Sequence, residues 1–254
     1  MSGGVNAAAG MTFSTDGYTV TNSTIALTGA NAASNTITTD ASVGATIASQ
    51  LAGSNGMTKA GAGTLTLSAA NTYTGGTVVS AGSLVGTTTS LQGAITNNAA
   101  VTFDQSTAGT YSGVMSGSGS LTKSGIGRLS LSGSSSYNGA TTVSAGDLNL
   151  SGGSITNSAV TVASGASLSG YGSVGTIGGA GAINPGNSPG ILTTPQVNPS
   201  GGTTFNFEMT GTAPTNNASN SVNDLIQITG GTPFSQALAA GNGINIYFSG
   251  AALF

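Results

Sequence analysis

The chain has no cysteine, no histidine and no tryptophan, and only three of its 254 residues are basic. Without histidine or cysteine, Ser-His-Asp and Cys-His nucleophilic sites are excluded, and a zinc centre lacks its usual ligands. Three cations cannot neutralise enough phosphates to form a nucleic-acid footprint, so nucleic acid is excluded as a partner. Charged residues make up 4% of the chain, against about 25% in an ordinary globular protein. Its surface must therefore be wetted by Ser, Thr, Asn and backbone amides. No apolar run is long enough to span a bilayer as a helix, and the opening MSGGVNAAAGMTF has neither the basic start nor the apolar centre of an export signal.

What is present is glycine, 43 residues of it, and a net charge of only −3. That charge is too small for self-repulsion to hold the chain unfolded. The nine charged residues are scattered, and none forms a run. Sliding the sequence by 64 positions aligns residues 51–84 with 115–148 without a gap, with 17 of 34 positions identical. Within this block the period is two. Leu65 and Leu67 alternate with Thr64, Thr66 and Ser68, and Leu129 and Leu131 alternate with Arg128, Ser130 and Ser132. Such alternation marks strands with one buried side. Gly, Asn and Ser clusters close each strand with turn conformations.

Short strands, frequent turns and few apolar residues suit an all-β parallel solenoid, in which stacked coils share a narrow core. A coil of about 20–25 residues then needs only four or five inward side chains. A compact β-sandwich is the competing architecture. It ordinarily carries more aromatic core and fewer glycines.

The stretch GAGTLTLSAANTYTGGTVVSAGSL, residues 61–84, resembles the passenger-associated transport repeat of bacterial autotransporters, also called the autotransporter-associated β-strand repeat. Gly61, Gly63, Leu65, Leu67, Asn71, Tyr73, Gly75, Thr77, Val79, Gly82 and Leu84 fall on the family pattern, with Ala69 in place of a glycine. The second copy matches at Gly125, Gly127, Leu129, Leu131, Gly133, Tyr137, Gly139, Thr141, Val143, Gly146 and Leu148. There Ser135 replaces the expected Asn, which weakens any turn contact that Asn71 makes. Residues 168–192 and 205–231 are similar to the coils that follow such repeats, the first with Asn184 in place of Ala.

The resemblance implies a right-handed parallel β-helix forming a single elongated rod. It implies a coil section at 1–50, the passenger-repeat section at 51–190 and a closing section at 191–254 with a polar loop near 211–221. It also implies a non-catalytic passenger of a cell-surface protein, carried across the bacterial outer membrane through a β-barrel translocator absent from this chain. Folding coil by coil outside the membrane would then draw the chain outward. Adhesion to a host-cell or sister-cell surface, or self-association, are the roles expected of it. On this view the chain is a fragment of a longer protein.

No residue is assigned to catalysis, cofactor binding or metal binding, and no cofactor is expected. Asp40 and Asp104 align in the repeat and are read as turn-capping aspartates rather than a glycan-cleaving pair. Arg128 and Asp147 are read as a weak surface pair, Tyr73 and Tyr137 as packing beneath turns or stacking in a ladder, and Lys59 and Lys123 as solvated strand edges. Two other functions are weighed: a polysaccharide-degrading enzyme on the same scaffold, and an ice-binding solenoid suggested by Thr64 and Thr66. The latter is set aside because the second block has Arg128 and Ser130 at the matching places.

Overall fold

The computed structural model describes residues 7–21, 23–186, 190–209, 224–230 and 243–248. The polar loop expected near 211–221 lies outside them. The protein is a parallel β-solenoid, as the alternation of short one-sided strands predicts. Every pairing between its named strands is parallel, and among the described residues the helical content is a single 3₁₀ turn at Ala32–Ser34.

Each coil passes in turn along three faces. The first holds Ala7–Ala8, Ile25–Leu27 and Leu51–Ala52. It resumes at Gly109–Tyr111 and Arg128–Leu131 and runs on through Asp147–Ile155 and Ser167–Val174. The second stacks six strands, from Gly10–Phe13 to Met115–Ser116. The third is the longest, with ten parallel strands from Tyr18–Val20 to Val197–Pro199. At about 4.8 Å per strand this sheet extends roughly 45 Å. From residue 147 onward one long strand serves two faces, and the register shift between Ser151 and Ser154 marks the bend.

Alternation along each strand sends one residue in two to the axis. On the third face the inward column runs Ala45, Leu65, Leu84, Val101, Leu121, each directly over the next. Coils are tighter than the expected 20–25 residues. Ser83 pairs with Ala100 and Leu121 with Thr141, so most coils close in 17 to 20 residues. The first is longer because the 3₁₀ turn is inserted in it, and Tyr18 pairs with Ala45. Glycine turns permit the tight closure. Gly61 has φ +75°, and a Cβ there would run into the Thr39 carbonyl of the coil before.

The 64-residue repeat does not match a whole number of coils. Met57–Ala60 lies on the second face, whereas its counterpart Ser120–Ser124 lies on the third, three coils further along. Thr64–Leu67 is on the third face and Arg128–Leu131 on the first. One repeat therefore spans three coils and one face. The second copy builds the same local structure rotated about the axis, which the near-equivalence of the three faces allows.

Inward and outward positions should differ sharply in their tolerance of truncation. Leu121→Ala is expected to lower the free energy of unfolding in urea by about 2–5 kcal/mol. Thr122→Ala, the outward neighbour, should change it by less than about 0.5 kcal/mol.

Candidate functional site

The two lysines overturn their assignment as solvated strand edges. Lys59 and Lys123 have no exposed surface. Lys59 stands in an inward column over Ile37 and under Val79, and Lys123 between Phe103 and Val143. Each ammonium reaches the corner where the strand turns. Lys59 Nζ donates to the carbonyls of Ala60 at 2.9 Å, Gly61 at 2.8 Å and Ala81 at 3.1 Å. Lys123 Nζ donates to Ser124 at 2.7 Å, Gly125 at 2.7 Å and Ala145 at 3.0 Å.

Two carbonyls come from the lysine's own turn and the third from the turn stacked on it, so three N–H donors join adjacent coils. The left-handed glycines Gly61 and Gly125 shape these turns. Ser80 and Ser144 add a bond each from the stacked coil to the lysine's own carbonyl. Burial lowers the Lys59 ammonium from 10.5 to about 8. Burial lowers Lys123 too, against the pull of Asp147 and Asp104. The period-two pattern carried the signal: in MTKA and SLTKS the lysine falls on the inward parity.

The other recurring side chains also join coils. Tyr73 and Tyr137 are buried beneath turns, their hydroxyls bonded to Thr77 at 2.8 Å and Thr141 at 2.6 Å, and burial raises Tyr137 to about 12. Asn71 accepts from the Leu51 amide of the coil before and donates to the Ser90 carbonyl of the coil after, both at 2.8 Å. Ser135 keeps only the first of these, accepting from Met115 N at 2.9 Å, as the departure from the family pattern predicts.

Arg128 and Asp147 do pair, at 2.7 Å across one coil, with the arginine half-exposed. Asp147 also accepts from Ser167 and Ser169, each at 2.8 Å. Asp40 and Asp104 are not brought together. The first follows a second-face strand, while the second ends a third-face strand and takes a hydrogen bond from Ser124 at 3.0 Å. Asp224 acts as a clasp. Its carboxylate receives Gly190 N at 3.1 Å and Glu208 N at 2.8 Å, joining the two segments singled out downstream of the repeats, and burial raises its pKa.

The outward side of the third face holds a feature that the sequence argument misjudged. Thr64 and Thr66 were weighed against Arg128 and Ser130, but those lie on the first face. The structural neighbours of Thr66 in register are different. The column runs from Thr19 through Thr46, Thr66, Val85, Thr102 and Thr122 to Thr142 and Thr161. Among the described residues no protein group engages these threonine hydroxyls. By contrast, the second-face Thr36 and Thr58 donate to nearby carbonyls, and first-face Asn149 and Ser169 bond each other. Among the described residues no cluster of three potential metal ligands occurs, and no helix is long and apolar enough to cross a membrane.

The family model of the passenger-associated transport repeat matches residues 57–85 and 121–150. These two stretches, under half of the chain, match the passenger-associated transport repeat. These matches enclose both lysine corners and both buried tyrosines, and they support an autotransporter passenger domain. The sequence is also similar to the Adhesin BmaC autotransporter of Brucella suis biovar 1 (strain 1330), 37% identical over 140 residues. That match covers 53% of this chain and 4% of the relative's length. No solved structure matches this chain.

Two measurements check the site. The unfolded chain keeps an ordinary lysine value, so between about pH 8 and 10.5 it binds more protons than the folded chain. Stability should therefore rise with pH from about 8 toward 10, and above about 10 the buried tyrosines, still protonated in the folded chain but ionised in the unfolded one, should turn the trend downward. Lys59→Met should remove the Lys59 part of the rise, read from urea midpoints at several pH values. Ser135→Asn should restore the missing bond to the following coil and gain about 1 kcal/mol, while Asn71→Ser should lose a similar amount.

Proposed function

We propose that this segment is a non-catalytic stalk of a surface-exposed autotransporter. On this reading residues 51–190 form the repeat section of one continuous solenoid, preceded by 1–50 and followed by 191–254. A β-barrel translocator elsewhere in the full protein carries it across the outer membrane. The observation that carries this reading is the pair of passenger repeats folded into parallel coils, each strand hydrogen-bonded only to the coil before and the coil after.

Near-neighbour contacts let each coil fold on the one already formed, without waiting for distant sequence. A chain emerging from a pore gains stability with every coil, and that gain opposes its return. The lysine corners, the Asn71 bridge, the Gln92 amide on the Tyr73 hydroxyl and the Thr141–Ser158 pair all link adjacent coils, so they act one coil at a time. Most of the side chains with acid or base chemistry are committed to the scaffold. Lys59 and Lys123 hold turns, Asp147 holds Arg128 and two serines, and Asp224 holds two backbone amides. The adhesin-named relative supports a role in adhesion, with a host-cell or sister-cell ligand or self-association at the exposed faces.

The test places the whole chain between a signal peptide and a translocator barrel and reads its accessibility to external protease. Surface exposure is expected. A Leu65→Asp, Leu129→Asp variant, which cannot stack its coils, should stay on the inner side of the outer membrane. Undiminished export of that variant would remove folding as the driving force, and polysaccharide turnover by the chain would remove the non-catalytic reading.

A further inference from the structure

We propose that the outer side of the third face is a homotypic contact surface, where a second copy of this chain lies face to face through the threonine column. The inference rests on the passenger reading above and names the side of the rod that self-association uses. Four observations converge on that side. The column continues in register over eight consecutive strands, with Val85 the one departure from threonine. Its hydroxyls have no partner within the protein, whereas second-face Thr36 and Thr58 and first-face Asn149 and Ser169 are engaged. The flanking outward column is short and uncharged: Gly44, Thr64, Ser83, Ala100 and Ser120. Charge appears at the margins, in Asp104 and in Asp16, whose carboxylate accepts from Gly44 N at 2.7 Å.

A second copy fits these properties better than a foreign partner does. A hydroxyl both donates and accepts, so a threonine column is complementary to itself, whereas a column of acids or lysines repels its own copy. The spacing along the stack is the same in both copies, so a match at one coil is a match at all. Short side chains allow two sheets to approach to about 10 Å with methyl groups interleaved, as in a dry zipper between β-sheets. An isologous contact of this kind closes on itself as a pair.

Size sets the strength. Eight strands and two or three outward columns cover roughly 35 by 15 Å, on the order of 500 Å² per copy, below the roughly 800 Å² per partner of a stable complex. The contact is therefore weak for this chain, and every further coil of the same kind adds to it.

Sedimentation of the full chain across the micromolar to millimolar range tests the proposal. Reversible dimers are expected at the upper end. Thr66→Lys with Thr122→Lys should weaken association at least tenfold with unchanged circular dichroism, and so should Thr66→Glu with Thr122→Glu. Mixing the lysine and glutamate variants should restore it, because opposite charges then meet across the pair. Thr12→Lys with Thr96→Lys, exposed on the second face, should leave association intact. A chain that stays monomeric at millimolar concentration, dimers indifferent to the third-face lysines, or monomers that bind and shape growing ice would each overturn the proposal. None of these outcomes alters the protease assay of surface exposure, so failure here is distinct from failure of the passenger reading.

Discussion

Parallel backbone pairing without offset, one coil directly over the next, is the constraint on which the rest of the structure depends. Because each strand repeats its predecessor's position, a residue is surrounded above and below by residues of the same parity. Inward positions then form continuous apolar columns such as Leu65 over Leu84 over Val101, which bury aliphatic surface although few such residues are present. Outward positions form columns of hydroxyls. The corners form columns too, and there the backbone leaves carbonyls pointing inward with no strand to receive them. Buried carbonyls of this kind need donors, and Lys59 and Lys123 supply three each from within the core.

A charged group in an apolar column is costly unless every one of its hydrogen bonds is made. The two copies of the repeat share half their residues, so a stretch of one copy offers an apolar pattern nearly interchangeable with the other. A lysine that finds its three acceptors at one corner and none elsewhere makes most wrong stackings unfavourable. The penalty falls on the misaligned states and spares the correct one. This is the best-attested use of buried polar groups, the fixing of register.

Much of the architecture was legible from residues alone. The two-residue alternation of TLTL and RLSL located strands and their buried side, and the Gly and Asn clusters located turns. The Ser135 departure predicted a weakened contact, and the structure shows one of Asn71's two bonds kept and the other missing there. What was not legible is the phase between the 64-residue repeat and the coil. That phase depends on how many residues each corner consumes, and with closure in 17 to 20 residues the copies fall on different faces. Comparing Thr66 with Ser130 therefore compared two sides of the rod. The lysines were missed for another reason: a charge outweighed the parity of its position in the reading, although the alternation already placed it inside. Asp224 was legible only as part of a family texture, because its partners lie 16 and 34 residues away.

The advance of three coils and one face per repeat has a mechanical consequence. Stiff corners with a pinned lysine do not accumulate along one side, since the first lies off the second face and the next off the third. Continued at the same spacing, the series would come back to its starting side only after ten coils. A filament whose rigid points are distributed around its circumference resists bending equally in all directions and has no built-in curl, as a projecting column under lateral drag requires.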